Sequence, residues 1–181
     1  MNSATNNLEN DHIHILKLID VMEHITQLKE PEITHIESIV DIIRNYADGL
    51  HHAKEEDIFF PFLAEKGFSS TQGPVAVMLH EHVQGRNYVK GIADNIPLYR
   101  NGDKGALNEI KTNMKGYIDL LRNHISKENN ILFRMADNVI SDSDNRKLIA
   151  QFDEAEKKQY SISGSVNFIK QIENLAAFYN V

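Results

Sequence analysis

Prolines and glycines interrupt this chain at widely spaced points, and between them apolar residues recur every three or four positions. The first break is Pro31, the second extends from Gly67 to Pro74, and the third is the turn Asn101-Gly102-Asp103. Apolar residues at this spacing lie on one face of an α-helix, so the intervals predict long amphipathic helices. Four such helices with short connections predict an all-α fold, an antiparallel up-down-up-down four-helix bundle.

The second predicted helix contains a proline of its own. Pro61 lies inside the apolar pattern, so we expect a kink or an irregular turn there. The four predicted bundle helices cover about residues 8–29, 32–66, 73–95 and 104–139.

Two shorter helical patterns follow the bundle, over about residues 141–158 and 166–178, with a loop over 161–165 between them. Neither is long enough to be stable alone, so we expect both to pack on the outside of the bundle. The sequence therefore predicts two parts, a four-helix bundle over residues 1–139 and a C-terminal helical extension over residues 140–181.

The charge balance excludes several classes of partner. The 181 residues include 19 basic and 26 acidic side chains, which give a formal net charge of −7. Nucleic acids and anionic membranes require a basic surface, so we expect neither as a partner. No stretch approaches the roughly 18 consecutive apolar residues of a membrane span. Met1 to Asn10 lack the basic and then apolar order of a secretory signal, so the expected location is cytoplasmic.

The cysteine and histidine content limits the kind of metal site that this chain can form. There is no cysteine, which excludes disulfides, thiolate catalysis and cysteine-ligated zinc or iron–sulfur sites. There are nine histidines. Any metal site must therefore use imidazole and carboxylate groups, which suit iron, manganese and zinc.

One short pattern occurs twice, late in the second predicted helix and late in the fourth. The first copy is His51-His52-Ala53-Lys54-Glu55, and the second is His124-Ile125-Ser126-Lys127-Glu128. At an offset of 73 residues the copies share His, Lys and Glu at the same places. Residues four apart lie on the same face of a helix, about 6 Å apart along its axis. An imidazole and a carboxylate at this spacing can bind one ion or two neighbouring ions.

The other two predicted bundle helices each carry a histidine in an apolar context. His12 lies on the apolar face of the first helix, and in an antiparallel pair it lies level with His51. His82 lies early in the third helix, level with His124. Four imidazoles with two carboxylates favour a non-haem pair of iron ions. The candidate metal ligands are His12, His51, Glu55, His82, His124 and Glu128.

Alternatives remain open for some of these residues. They could all be helix-surface histidines with Glu–Lys pairs, although four helices would then reproduce the order by chance. In the second helix the ligands could be His52 and Glu56. The repeat favours His51 and Glu55, because lysine directly precedes that glutamate in both copies. His80 in the third helix is an additional candidate.

The motifs resemble those of a known family. Asp-His near the start, His-x-x-Lys-Glu-Glu-x-x-x-Phe-Pro in the second helix, Glu-His-x-x-Gly-Arg in the third and His-Ile-x-Lys-Glu-x-x-x-Leu-Phe in the fourth look like the helix motifs of hemerythrin-like (HHE cation-binding) domains. The resemblance covers about residues 8 to 138 in the same order. It implies two iron ions (Fe2+/Fe3+) held by the four histidines and bridged by the two glutamates and an oxo or hydroxo group, with zinc or manganese as substitutes.

One feature departs from the oxygen carriers of this family. They have two histidines four residues apart on the third helix, whereas Met78 and Arg86 stand four residues on either side of His82 here. The site would then have one protein ligand fewer and a coordination position open to a small molecule. Tyr117, seven residues before His124 on the same helix face, is a candidate for a place near that opening.

The expected function is that of a di-iron protein that binds or reacts with O2, NO or peroxide at the open position. Alternatives are a redox enzyme that reduces peroxide or NO or repairs iron centres, and an iron-binding or storage protein. Ferritin-like proteins carry glutamate before histidine at a spacing of three. Here histidine precedes glutamate at a spacing of four, which weakens the storage alternative.

Overall fold

Helices account for nearly all of the residues that the computed structural model describes, which are 3–162 and 166–181. Within these residues there are six helices and no strand, which confirms the all-α prediction. The bundle helices are α1 (Ala4–Gln27), α2 (33–65), α3 (Gly73–Arg100) and α4 (104–137), and they are followed by α5 (Asp142–Ile162) and α6 (Phe168–Tyr179). Among these helices, none combines the length and the hydropathy that a membrane span requires.

Helices α2 and α4 widen where the repeated motif lies. α2 consists of α-helical Ile33–Ile42, wide turns over Ile43–His52 and Glu55–Phe59, and α-helical Phe60–Glu65. α4 consists of α-helical Lys104–Lys127, a wide turn over Glu128–Leu132, and α-helical Phe133–Asp137. In both helices the backbone carbonyl of the motif glutamate accepts a hydrogen bond from the residue five positions later. Such π-type turns are rare and frequently mark functional sites.

The C-terminal part of α2 agrees with two sequence-based expectations. The irregular turn expected at Pro61 is the wide turn that ends just before it, at Phe59. After the helix, Gly67 adopts a φ of +95°, and the Phe68 N–H donates to the Leu63 carbonyl at 3.0 Å. This is the left-handed cap that glycine forms without steric cost.

Three predicted boundaries are wrong. The first helix was expected to begin at Leu8, but α1 begins four residues earlier, at Ala4. The third helix was expected to end at Asn95, but α3 continues through Pro97 to Arg100. Pro97 cannot donate a backbone hydrogen bond, yet the last turn still closes because its carbonyl accepts the Asn101 N–H at 3.1 Å. The loop expected over 161–165 is helical in its first two residues, and the rest of it lies outside the described residues.

The bundle helices form a ring around a common axis. α1 packs against α2 and α4, and α3 packs against the same two helices from the opposite side. Helices α5 and α6 both lie outside the ring, where they contact α1 and α2. The C-terminal helices therefore cover the half of the bundle that α1 and α2 form.

The core has two apolar clusters, one on each side of a polar layer. The larger cluster includes Ile19, Ile39, Ile92, Ile118 and, from α6, Ile172. The smaller cluster includes Leu8, Phe59, Met78, Phe133 and, from α5, Phe152. On α1 the change occurs between Leu8 and Ile15, where His12 is buried among polar groups of the other helices. Because both clusters exclude water, polar groups in this layer must satisfy one another or bind a ligand.

Phe152 offers a test of how firmly α5 is held on the bundle. Its side chain is fully buried in the smaller cluster. Truncating a buried phenylalanine usually costs about 3–5 kcal/mol, so Phe152→Ala is expected to lower the free energy of unfolding in urea by this amount. The control Asp153→Ala removes an exposed side chain and should stay within about 0.5 kcal/mol of wild type. An effect of Phe152→Ala no larger than that of the control would contradict this packing.

Candidate metal centre

The polar layer contains every candidate ligand that the sequence indicates. α1 and α3 each contribute one residue, and α2 and α4 each contribute two. All six residues are at least 99% buried, namely His12, His51, Glu55, His82, His124 and Glu128. They are therefore not the solvated helix-surface residues of the first alternative.

The donor atoms form two groups, and the atoms of each group lie within 4.8 Å of one another. The first group is His12, His51, Glu55 and Glu128, and the second is His52, Glu55, His82 and His124. Glu55 Oε2 lies 3.7 Å from His51 Nε2 and 3.5 Å from His82 Nε2. Glu128 Oε2 lies 3.3 Å from the Nε2 atoms of both His12 and His124. Each glutamate thus contacts both groups, so each carboxylate can contact two ions.

The second group includes a histidine that the sequence repeat did not select. His51, His52 and Glu55 all point into the site. Glu56 instead lies at the edge of the site, where it accepts a hydrogen bond from Arg86. Neighbouring residues of a regular α-helix point about 100° apart, so two adjacent histidines do not indicate two ligands. The wide turns of α2 bring both rings inwards, and the site therefore has five imidazoles.

Hydrogen bonds orient all five imidazoles in the same way. Each Nδ1 faces an oxygen atom at 2.7–3.4 Å, which belongs to Asn129 for His12, Asp11 for His51, Asp48 for His52, Glu56 for His82 and Glu81 for His124. An oxygen acceptor requires the ring proton on Nδ1, which leaves the Nε2 lone pair free. Metal-binding histidines are held in this way.

The inward-facing atoms conflict with one another unless a cation lies between them. His12 Nε2 is 3.0 Å from His51 Nε2, and His82 Nε2 is 3.2 Å from His124 Nε2. With the protons on Nδ1, neither nitrogen of a pair can donate, and the lone pairs repel. Both carboxylate groups, those of Glu55 and Glu128, have no hydrogen-bond partner among the described residues. Metal ions relieve both conflicts, so the donor set fits a pair of cations.

Burial shifts the pKa values of His51, His52 and Glu55 towards their neutral forms. Burial alone would also raise the pKa of Glu128, but the nearby His124 and His12 outweigh it and lower that pKa. Burial lowers the pKa of His51 well below 6.5. Burial and the nearby His82 lower the pKa of His52 to about 4. Burial and the Glu128 carboxylate raise the pKa of Glu55 well above 4.5. Protons therefore compete with metal ions for the site, and metal affinity is expected to decrease as the pH falls.

The outer hydrogen bonds repeat in the two halves of the site. Asp11 on α1 accepts from His51 Nδ1 on α2 at 3.4 Å, and Glu81 on α3 accepts from His124 Nδ1 on α4 at 3.0 Å. In both halves the acceptor directly precedes the histidine that its own helix contributes. An approximate two-fold axis therefore relates α1 and α2 to α3 and α4, and the 73-residue offset in the sequence reflects this symmetry.

One position breaks the symmetry. The counterpart of His52 on α4 is Ile125, which is buried and apolar. The donor group that includes His52 has three imidazoles, whereas the group of His12 and His51 has two. The two donor groups are therefore not equivalent, because the group of His12 and His51 has one nitrogen donor fewer.

A cavity of about 110 Å³ lies beside His52, and its lining includes Asp48, Arg86 and Tyr117. Arg86 closes one edge through a hydrogen bond of 2.8 Å from its Nε to Asp48. Tyr117 is buried, and burial raises its pKa. Tyr117 and His52 line the same cavity, and His52 belongs to the donor group with three imidazoles. The additional candidate His80 is exposed, contacts Gln84 and belongs to neither donor group.

The fold and the site together define a metal-binding protein built on a four-helix bundle. The family model described as hemerythrin HHE cation binding domain matches residues 3–136. This match covers most of the chain, so the protein belongs to the hemerythrin HHE cation-binding family. Comparison with curated proteins and with solved structures gives no significant match. The family and the buried His and Glu groups agree in assigning cation binding to this layer.

The neutral state of His52 can be tested in metal-free protein. Its pKa is about 4 in the folded chain, against an ordinary value of 6.5. The unfolded chain takes up the proton first, so the folded state loses stability as the pH falls from 6.5 to 4, by about 3 kcal/mol for this group. Over that range His52→Asn is expected to lose about 3 kcal/mol less than wild type in urea denaturation. The control His80→Asn should follow wild type. Identical pH dependence of His52→Asn and wild type would contradict the buried neutral imidazole.

Proposed function

We propose that this chain is a non-haem di-iron protein that binds or reacts with O2, NO or peroxide at one of its two metal positions. The supporting observation is the convergence of five inward-facing Nε2 atoms on two glutamates that have no hydrogen-bond partner among the described residues. Both glutamates contact both donor groups, which favours two bridged ions over one.

The donor types favour iron as the metal. Imidazole and carboxylate together suit iron, manganese and zinc, whereas structural zinc sites are usually closed and tetrahedral. Two adjacent donor groups with shared carboxylates suit larger coordination numbers. The resemblance to hemerythrin-like domains supports the same choice. Bound iron would supply a redox-active pair with room for a small molecule.

The position of His12 and His51 is the proposed place where the small molecule binds. It has one imidazole fewer than the other position, and Ile125 stands where the symmetry would place a further histidine. An apolar side chain cannot fill a coordination position, so that position remains free for a ligand. The fifth imidazole, His52, completes the other position.

Aromatic residues keep water away from this proposed ligand position. The ring of Phe133 stacks on His12 with a centroid distance of 5.7 Å, and Phe59 packs edge-on against Phe133 at 5.8 Å. Both phenylalanines are fully buried. A dry site strengthens electrostatic interactions and limits hydrolytic side reactions. Such surroundings suit a diatomic molecule or peroxide better than a large polar substrate.

Iron content and optical spectra test this proposal. Protein expressed with iron is expected to hold one iron ion in each donor group and to show an absorption band that dithionite removes. Glu128→Ala removes a carboxylate that contacts both groups, so it is expected to abolish loading of the pair. The control His80→Ala lies outside both groups and should retain the iron.

The response to added ligands separates carriage from turnover. A spectral change that O2 causes and removal of O2 reverses would indicate a carrier or sensor. Steady consumption of peroxide or NO would indicate the redox-enzyme alternative. A protein without metal, or with a metal content that Glu128→Ala leaves unchanged, would contradict the di-iron proposal.

The symmetry of the site provides a test of the open position. Ile125→His places an imidazole on the buried side of α4, at the sequence counterpart of His52. The backbone is α-helical at Ile125 and widened at His52, so the two rings differ in direction. A changed spectrum of the metal-loaded variant is expected to show that the new imidazole binds at the free coordination position. The variant should still bind two metal ions in the two donor groups, but its spectral response to NO and peroxide should be lost or strongly slowed. The control Ile125→Leu retains an apolar side chain and should respond like wild type. An unchanged response of Ile125→His would place the ligand elsewhere.

A further inference from the structure

A lysine is completely buried beside the proposed metal centre. Lys54 directly precedes Glu55, and none of its side chain is exposed. Its Nζ donates to Asn7 Oδ1 at 3.0 Å, to Asp11 Oδ2 at 2.9 Å and to Glu156 Oε1 at 2.6 Å. A buried ammonium group is costly unless it is paired, and these three bonds use all of its protons.

One partner of this lysine also holds a candidate metal ligand. Asp11 Oδ2 accepts hydrogen bonds from both Lys54 Nζ and His51 Nδ1, the latter at 3.4 Å, while its Oδ1 accepts from the Tyr46 hydroxyl at 3.3 Å. How strongly Asp11 polarises the His51 ring therefore depends on how much of its charge the ammonium group neutralises. Glu156 accepts a hydrogen bond from the same ammonium group. Less of the positive charge of Lys54 is then available to neutralise Asp11, so Asp11 remains more negative.

The last member of this chain of contacts comes from outside the bundle. Glu156 belongs to α5, whereas the family match ends at residue 136. The same helix places Phe152 against the lysine, with Nζ of Lys54 at 5.9 Å from the ring centroid. The surroundings of His51 thus include a helix that lies beyond the segment common to the family.

In the other half of the site, no described residue of α5 pairs with the corresponding lysine. Lys127, the counterpart of Lys54, pairs with Glu81, which holds His124 Nδ1. The Lys127 side chain is 36% exposed, so water screens its charge. In the pair of Lys54 with Glu156 water reaches only the carboxylate, because Lys54 is fully buried and Glu156 is 34% exposed. Helix α5 packs against α1 and α2, the two helices that provide His12 and His51. It therefore acts on one half of an otherwise symmetric site.

We propose that Glu156 is a positioning residue for the metal centre. It acts through Lys54 and Asp11 and strengthens His51 as a metal donor. This inference rests on the proposed metal pair, and it concerns the position with two imidazoles, where the small ligand is proposed to bind. The placement of α5 therefore controls the affinity of one metal position, and a displacement of α5 weakens that position selectively.

Zinc binding by the full chain tests this coupling, because Zn2+ accepts the same donors and is diamagnetic. In Glu156→Gln the positive charge of Lys54 is no longer shared with a second carboxylate, so it neutralises more of the negative charge on Asp11. The affinity for the weaker of the bound zinc ions, measured by chelator competition, is expected to decrease roughly ten-fold, the lower end of the range for residues that support a ligand. In the NMR spectrum the His51 Nδ1–H signal should shift, while the His124 Nδ1–H signal should not.

Two further variants control for charge and for structure. Glu154→Gln removes a carboxylate on the same helix that pairs with Lys157 at the surface, and it is expected to leave both measurements unchanged. Glu156→Asp retains the charge and is expected to restore part of the affinity. The Glu156 side chain is 34% exposed, so the neutral variant can be solvated and should fold.

The outcomes separate this coupling from the metal centre itself. Wild-type zinc affinity together with an unshifted His51 signal in Glu156→Gln would overturn the coupling and leave the metal centre intact. Equal shifts at His51 and His124 would show a general loosening of the bundle and would also overturn it. A wild-type chain that takes up no zinc would overturn the metal centre, and the coupling with it, before any variant is compared.

Discussion

Two glutamates buried at the centre of the bundle determine how the side chains around them must be arranged. Glu55 and Glu128 are fully buried, and their carboxylate oxygens have no hydrogen-bond partner among the described residues. An unpaired buried carboxylate costs several kcal/mol, and two that face the same space repel each other. Cations between them remove this cost. The five imidazoles provide the other donors that such cations require, and each ring is fixed by a hydrogen bond at its outward-facing Nδ1.

Much of this arrangement follows from local rules that a sequence displays. Apolar spacing and helix breakers give the bundle, and the repeated His-x-x-Lys-Glu gives the two glutamates and their histidines. His52 could not be selected, because its inward direction depends on the wide turns of α2, and tertiary packing decides where a helix adopts such turns. The contact between Lys54 and Glu156 could not be predicted either, since these residues are 102 positions apart and no pattern joins them. Local periodicity thus predicts the helices and the ligands that the two halves of the site share, while long-range packing determines where the two halves differ.

Those differences have a common effect. A perfectly two-fold site would hold two equivalent ions, and neither would be distinguished as the place where a ligand binds. His52 adds a nitrogen donor to one donor group, whereas its counterpart Ile125 is apolar and adds none to the other. Helix α5 then covers the half with fewer donors and supports His51 from outside. Both departures make the two donor groups unequal. In the proposed function, this inequality would give one ion more protein donors and leave its neighbour a place for a small molecule.

The buried lysine shows how the protein balances charge around that unequal pair. A positive charge next to a cation site opposes metal binding, and its effect is large where the dielectric is low. Lys54 nevertheless lies there, paired with both Asp11 and Glu156. With both carboxylates in place the three side chains together are negative, whereas Lys54 and Asp11 alone would be neutral. The carboxylate from α5 therefore changes an electrostatically neutral neighbour of the metal centre into one that favours cations. By this proposed route, a helix that lies outside the family match would act on an ion whose ligands lie inside that match.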